Sequence, residues 1–208
     1  MRITKSAQKL EAYTPGEQPK SKNVVKLNTN ENPYPPTPKC ATILKEFDLD
    51  KLRRYPDPVF TELRKALAKL NNTKPENIFV GNGSDEILTI AAKTFVENDE
   101  AIGSLDPSYS LYKTLAAIRD VKWIGADPAK AVDEKISLFL WTNPNAPTGI
   151  ALPLCDIERI VQGNPDNVVV IDEAYVDFGG ESAVSLIHKY DNLLVTQTFS
   201  KSRNLAGA

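Results

Sequence analysis

The stretch "VVVIDEAY", Val168 to Tyr175, decides the fold of this 208-residue chain. Its first four residues are continuously apolar, which is typical of a strand that is covered on both faces. Helical and strand-like patterns alternate around it, and this alternation predicts an α/β fold with a mostly parallel sheet and helices on both faces. Ligands of such sheets bind at the carboxyl ends of the strands, so the loops that follow the strands are the places to look for function.

The composition is that of an ordinary globular protein, since 41% of the residues are hydrophobic and 25% are charged. The formal net charge is −2 and the charges are interspersed, so we expect no nucleic-acid partner. No run approaches the roughly 18 apolar residues of a membrane span, and the N terminus lacks an apolar signal sequence. We therefore expect a cytoplasmic protein that makes no contact with a membrane.

The metal-binding residue types are scarce. Cys40 and Cys155 are far apart and form no CxxC motif, so we interpret them as reduced, incidental thiols. A single histidine, His188, excludes a multi-histidine metal site, and we assign it no catalytic role. We expect no metal.

Two regions differ in pattern. Residues 1–37 contain several prolines and little periodicity, which favours an extended N-terminal arm, and residues 38–208 form the predicted domain. Helices are predicted at "KCATILKEF", "VFTELRKALAKL", "SDEILTIAAKTFV", "SLYKTLAAI", "LCDIERIVQ" and "AVSLIHKY". Strands are predicted at "NIFVG", "EAIGS", "VKWIG", "ISLFLWT", "NVVVIDEA" and "NLLVTQTFS".

The loop "GNGSDEIL", Gly81 to Leu88, is a candidate anion site. Two glycines allow a tight turn, and the backbone N–H groups of Ser84, Asp85 and Glu86 then point out of the helix start, where a phosphate binds well. The alternative is an ordinary capped helix. The loop is not a Walker motif, because it lacks the G-K-[ST] ending.

Asp172 and Lys201 each follow a predicted strand. A buried carboxylate needs a cation or a metal to stay ionised, so Asp172 either caps a turn or pairs with an organic cation such as a protonated pyridine. Lys201 is either solvated or, if it is desolvated near other cations, a nucleophile that forms a Schiff base. A phosphate site, a pyridinium partner and a Schiff-base lysine on one sheet edge are the three parts that hold pyridoxal phosphate.

Motifs along nearly the whole chain carry a family resemblance. They are "YTPG", "KLNTNENPYPP", "RYPDP", "GNGSDEIL", "DPSYSLY", "NPNAPTG", "VVVIDEAYVDF" and "TFSKSRNLAG". With them the chain resembles the fold-type I pyridoxal-phosphate aminotransferases, and most closely the histidinol-phosphate aminotransferase family. "LNTNENPYPP" and "RYPDP" are particular to this family and its near relatives, whereas "DEAY" and "SK" are shared across the wider superfamily.

The resemblance implies roles for the residues around the cofactor ring. Lys201 would carry the cofactor and move the substrate proton, and Asp172 would pair with the pyridinium nitrogen. Tyr175 would hydrogen-bond the O3′ oxygen, and Tyr109 would stack on the ring, although such a side chain could otherwise be plain core.

The resemblance also implies contacts farther from the ring. Ser84, Asp85, Glu86 and Ser200 would surround the cofactor phosphate. Tyr55 would reach the phosphate of the neighbouring subunit, which implies a homodimer, while Tyr13 and Asn30 would border the substrate.

The chain departs from the family pattern in two places. The family has an Asn directly before "PTG", but Ala146 stands there and Asn145 precedes it. Either Asn145 serves in its place, which we favour, or the hydrogen bond to O3′ is missing. The family also continues beyond Ala208 with a phosphate-binding arginine, the last strands and a small domain that binds substrate. The resemblance therefore implies a large domain that is incomplete at its C terminus and an absent small domain.

The implied reaction transfers an amino group between histidinol phosphate and 2-oxoglutarate, with glutamate as the product, in histidine biosynthesis. Two alternatives stay open. One is a related enzyme on the same scaffold, such as threonine-phosphate decarboxylase or another amino-acid aminotransferase. The other is a catalytically incompetent, truncated fragment.

Overall fold

The computed structural model describes residues 2–12, 14–21, 23–126 and 136–208. Its five strands form a parallel sheet with the order β2-β1-β3-β4-β5. The strands are β1 (Ala101–Leu105), β2 (Lys122–Ala126), β3 (Ile136–Thr142), β4 (Val168–Asp172) and β5 (Leu193–Thr196). All five carboxyl ends therefore lie along one edge, as the alternating sequence pattern predicts.

Six α-helices and four 3₁₀ helices belong to the part of the chain that the structure describes. The α-helices are α1 (Lys5–Gln8), α2 (Pro38–Glu46), α3 (Thr61–Leu70), α4 (Gly83–Phe95), α5 (Leu111–Arg119) and α6 (Leu154–Gln162). The 3₁₀ helices are Leu49–Arg53, Pro75–Asn77, Val176–Phe178 and Ala183–Leu186. None of the described helices is long and apolar enough to cross a membrane.

The sheet has a hydrophobic layer on each face, which explains the continuous apolar run of β4. Side chains alternate between the faces of a strand. Val170 packs into the layer formed by α4 and α5, whereas Val169 and Ile171 pack into the layer formed by α6 and the Ala183–Leu186 helix. The predicted α/β fold, with helices on both faces of a parallel sheet, is confirmed.

Two predicted elements are wrong. Residues 78–81 of "NIFVG" form no strand, and Phe79 is 69% exposed. A strand needs a neighbour for its backbone hydrogen bonds, and the described strands offer none to this segment.

The segment "AVSLIHKY" forms the 3₁₀ helix Ala183–Leu186 and then turns, so it makes no α-helix. Three residues complete one turn of a 3₁₀ helix, which places Ala183 and Leu186 on the same face, and both are buried against the sheet. His188 lies in the exposed turn that follows.

The arm contains one short helix, α1, that the prediction of an extended segment did not include. Thr4 caps it by accepting a hydrogen bond from the backbone N–H of Ala7 at 3.2 Å. The rest of the described arm is irregular, and its residues 29–32 return to the carboxyl edge of the sheet, where they contact the site described next.

Candidate active site

Asp172, the last residue of β4, is 2% exposed and lies at the centre of a hydrogen-bonded network. Its Oδ2 atom accepts from the Tyr112 hydroxyl at 2.8 Å. Its Oδ1 atom accepts from the backbone N–H of Ala174 at 3.2 Å and from the Thr196 hydroxyl at 3.3 Å. Burial raises the pKa of Asp172, and these hydrogen bonds oppose the rise.

No ion pair involves Asp172 among the described residues. A buried carboxylate without a cation is costly, so it either holds a proton or meets a cation that binds at the site. Among the described residues no positively charged side chain forms an ion pair with Asp172, so its position fits an organic cation that binds at the site. Among the described residues no cluster of His, Cys, Asp and Glu could hold a metal ion.

Tyr112, which the sequence interpretation did not select, contacts Asp172 directly. It lies in the first turn of α5 and is fully buried. A buried tyrosine hydroxyl needs a partner, and this one contacts Thr142 at 2.5 Å as well as Asp172. Burial and the negative charge of Asp172 raise the pKa of Tyr112, so the phenol stays protonated. Its place in "DPSYSLY", one helical turn after Tyr109, is the only signal in the sequence.

Tyr109 connects the network to the start of α4. Its hydroxyl lies 3.3 Å from both carboxylate oxygens of Asp85, and its ring packs edge-on against Tyr112 with centroids 5.8 Å apart. Burial, together with the charge of Asp85, raises the pKa of Tyr109 to about 12. Three of the predicted site residues, Asp85, Tyr109 and Asp172, are therefore connected by contacts of the Tyr109 and Tyr112 side chains.

The start of α4 has the backbone of an anion site. Gly83, its first residue, has φ of +78°, a conformation that favours glycine. The Glu86 carboxylate accepts from the backbone N–H of Asn82 at 2.5 Å and so caps the turn that precedes the helix. Ser84 and Asp85 occupy the first turn, where the N–H groups of a helix point outward.

Lys201 and Tyr175 lie at the same edge, and the arm contacts both. The Lys201 Nζ atom donates to the carbonyl oxygen of Thr29 at 2.9 Å and lies 5.9 Å from the centre of the Tyr175 ring. The Asn30 side chain donates to the Tyr175 hydroxyl at 2.8 Å. Thr29 and Asn30 both have left-handed backbone conformations, with φ of 62° and 51°.

A pocket of ≈ 560 Å³ opens beside these contacts. Its lining comprises arm residues and residues that follow β4 and β5, namely Asn30, Glu31, Asn32, Pro33, Tyr34, Tyr175, Phe178 and Lys201. Asn30, predicted to border the substrate, thus lies in the wall of a pocket that also contains Lys201.

Asn145 is 7% exposed, and its amide is engaged by neighbouring loops. Its Oδ1 atom accepts from the Ser108 hydroxyl at 2.8 Å, while its Nδ2 atom donates to the carbonyl of Pro107 and to the Thr148 hydroxyl. The Ser108 hydroxyl also lies 3.2 Å from that of Thr142, so Asn145 connects to Asp172 through a chain of hydroxyls.

The remaining predicted residues lie apart from this network. The Ser200 hydroxyl accepts from the Thr198 hydroxyl at 3.0 Å, next to Lys201. Tyr55 is fully exposed beyond the Leu49–Arg53 helix and contacts none of the groups above. Tyr13 lies outside the described residues.

The chain belongs to the aminotransferase class I and II family, whose model matches residues 22–208. It is 51% identical over 208 residues to histidinol-phosphate aminotransferase 2 of Burkholderia mallei, and 52% identical over 209 residues to the histidinol-phosphate aminotransferase of Acinetobacter baumannii. Each match covers 95% of this chain and 58% of the relative, so the chain spans under two thirds of these proteins.

Solved structures show the same fold. The histidinol-phosphate aminotransferase of Sinorhizobium meliloti in complex with pyridoxal-5′-phosphate matches with a TM-score of 0.77 and 26% identity, over 86% of this chain and 53% of that one. The L-threonine-O-3-phosphate decarboxylase of Porphyromonas gingivalis matches with a TM-score of 0.70 and 25% identity, over 80% of this chain and 55% of that one.

Proposed function

We propose that this chain forms the cofactor-binding part of a pyridoxal-phosphate-dependent histidinol-phosphate aminotransferase. The observation that carries the proposal is the buried, unpaired carboxylate of Asp172 at the sheet edge that also bears Lys201 and the start of α4. Relatives that are 51–52% identical along nearly the whole chain carry that enzyme name. The proposal includes a cytoplasmic location, as the sequence predicts.

Each residue has a defined task in this proposal. Asp172 would hold a cationic ring nitrogen, and Lys201 Nζ would hold the cofactor and move the substrate proton. Tyr175 donates to the ring oxygen, and the outward N–H groups at Ser84 and Asp85 hold the phosphate. The bound cofactor supplies a ring that withdraws electrons from the substrate carbon. The substrates are histidinol phosphate and 2-oxoglutarate, with glutamate as the product.

Attachment to Lys201 is tested by mixing the purified protein with pyridoxal phosphate and reducing it with borohydride. We expect a stable adduct on the peptide that contains Lys201, and none on Lys201→Ala. Lys189→Ala is a matched control, because Lys189 is exposed and pairs with Glu158 at a distant surface. An adduct spread over surface lysines, with none on Lys201, would overturn the assignment.

Turnover tests the choice of substrate. We expect amino transfer from histidinol phosphate to 2-oxoglutarate. The structural match to a threonine-phosphate decarboxylase supports the second candidate, which would release carbon dioxide from O-phosphothreonine. An adduct on Lys201 without turnover of either substrate would instead identify the chain as a cofactor-binding fragment that lacks activity.

The proposal includes a homodimer in which Tyr55 reaches the neighbouring cofactor phosphate. Neither α2 nor the Leu49–Arg53 helix contains a buried residue. Both expose large apolar side chains, namely Ile43, Leu44, Leu49 and Leu52. An exposed apolar surface of this kind marks a protein interface.

Sedimentation velocity should show a dimer that Leu44→Asp dissociates, whereas Tyr55→Phe should leave the dimer intact and weaken cofactor binding. A monomeric protein would contradict this part.

A further inference from the structure

A chain of hydroxyl groups joins Asp172 to Asn145. Starting at Asp172 Oδ2, it runs through the hydroxyls of Tyr112, Thr142 and Ser108 and ends at Asn145 Oδ1, with successive oxygen–oxygen distances of 2.8, 2.5, 3.2 and 2.8 Å. Tyr112 and Thr142 are buried, as are both ends of the chain, and Ser108 is half-buried. Bulk water therefore does not substitute for a missing partner of Asp172 or Tyr112.

The number of protons in this chain depends on Asp172. Each hydroxyl has one proton to donate, and neither an ionised carboxylate nor an amide oxygen has any. The three hydroxyls of Tyr112, Thr142 and Ser108 therefore serve three of the four contacts when Asp172 is ionised. When Asp172 is protonated it donates to Tyr112, every hydroxyl donates to the next, and all four contacts are made.

The surroundings of Asp172 act on its pKa in both directions. Burial is the largest influence and raises its pKa, and the Asp85 carboxylate at the start of α4 raises it further. The hydrogen bonds from Tyr112, Ala174 and Thr196 oppose this rise. The Glu173 carboxyl belongs to the next residue but lies on the other side of the sheet, against Ser182 and Ala183. The Tyr109 phenol, which packs against Tyr112, supplies no positive charge.

We infer that Tyr112 is a positioning residue whose hydroxyl serves Asp172 in both protonation states. It donates to the carboxylate when Asp172 is ionised, as it does to Oδ2 in the structure, and this state suits pairing with a cation. It turns to accept from the acid and to donate to Thr142 when Asp172 holds a proton. The switch transfers one proton from Asp172 to the basic nitrogen that it meets, so no proton needs to come from water. The inference rests on the proposed function only for the identity of that nitrogen.

Protonation of Asp172 is tested first, on protein prepared without cofactor. Carboxyl ¹³C NMR of aspartate-labelled protein, with Asp172→Asn to assign the signal, should show that Asp172 titrates above its ordinary pKa of 3.8. Tyr112→Phe should move the titration of that signal to higher pH, because the charged form loses a donor. An Asp172 signal that titrates at or below the ordinary pKa of 3.8, or one that titrates equally in both proteins, would overturn the inference.

Cofactor affinity provides the second measurement. Fluorescence titration with pyridoxal phosphate should give about a 10-fold weaker dissociation constant for Tyr112→Phe, since a hydrogen bond to a charged group is lost. Tyr190→Phe is the matched control, because its hydroxyl donates to the Glu158 carboxylate at the opposite end of the sheet, at 2.6 Å. Tyr190→Phe should bind pyridoxal phosphate with unchanged affinity. Equal affinity of Tyr112→Phe and the unmodified protein would contradict the positioning role.

A second variant covers the case in which Tyr112→Phe does not fold. Thr142→Val keeps the shape of the side chain and breaks the same hydroxyl chain at its next member, so a weaker effect in the same direction is expected. If the unmodified protein bound no pyridoxal phosphate at all, the proposed function would fail. The NMR titration of Asp172 would still decide the role of Tyr112 independently.

Discussion

Two carboxylates lie side by side at the end of β4, each 2% exposed, and they face opposite sides of the sheet. Asp172 points toward α5, where it meets the Tyr112 hydroxyl. Glu173 accepts from the Ser182 hydroxyl at 2.8 Å, the Ala183 N–H at 2.6 Å and the Gln197 amide at 2.9 Å. Burial raises the pKa of both groups.

The partners of the two carboxylates differ in kind. Glu173 joins three separate parts of the chain, because Ser182 and Ala183 precede β5 and Gln197 follows it. Asp172 instead lies beside adjustable hydroxyls at the edge that carries Tyr109. Burial alone therefore does not mark a functional carboxylate. The donors around Glu173 connect structural segments, whereas those around Asp172 can accommodate a change of charge.

The largest expected effect is that of Asp172→Asn on cofactor binding. Removal of one partner from a buried ion pair costs about 3–5 kcal/mol, so pyridoxal phosphate should bind roughly 10²- to 10⁴-fold more weakly. The stability of the cofactor-free protein should change little, because the amide can still donate to Tyr112. Fluorescence titration and urea denaturation measure the two quantities. A large loss of stability with unchanged affinity would show that Asp172, like Glu173, serves the structure and not the cofactor.

Glu173→Ala should have the opposite effects, a loss of protein stability with little change in cofactor affinity. It leaves buried or partly buried donors without an acceptor, so the free energy of unfolding should fall by about 3 kcal/mol. Urea denaturation at pH 7 measures this change, with the exposed Glu76 replaced by Ala as the control. Stability equal to that of the control would show that the three hydrogen bonds of Glu173 contribute nothing.

The smallest effect is a pH dependence that both positions share. Their folded pKa values lie above the ordinary values of 3.8 and 4.5, so the folded protein keeps protons that the unfolded chain releases. The stabilisation is complete below those ordinary values and is lost as pH rises through the folded pKa. Relative to Asp172→Asn or Glu173→Gln, the unmodified protein should therefore lose stability as pH rises from the ordinary values through the raised folded pKa values. A difference that does not change with pH would contradict the raised pKa values.

The sequence predicts the parallel sheet well because its evidence is local. Continuous apolar runs such as Val168 to Ile171 occur in strands buried on both faces, and helical periodicity identifies α3 to α6. The failure at residues 78–81 has a non-local cause, because a strand also depends on a neighbour that local pattern does not specify. The segment at Ala183 failed because short apolar spacing suits a 3₁₀ helix as well as an α-helix.

In the candidate site, too, some features follow from the local sequence and others depend on residues that are distant in the chain. Motif position places Asp172, Tyr175 and Lys201 after parallel strands, and the structure has them at one edge. Their chemical roles stay predictions. Tyr112 could not be chosen from the sequence, because a buried tyrosine in a helix is usually plain core. Its role depends on Asp172, which lies 60 residues away in the chain.

The sequence by itself determined the five strands of the sheet, most of the α-helices and the end of the sheet that carries the polar residues. Strand and helix periodicity are local properties, and parallel strands place their carboxyl ends on one edge. Only the tertiary structure decided the partners of each buried group. In the folded chain Asp172 contacts a chain of hydroxyls, whereas Glu173 accepts hydrogen bonds from donors that connect structural segments. Folding also places Thr29 and Asn30 of the arm against Lys201 and Tyr175. Hydrogen bonds between distant residues depend on distances of a few ångströms, and packing, not sequence spacing, sets those distances.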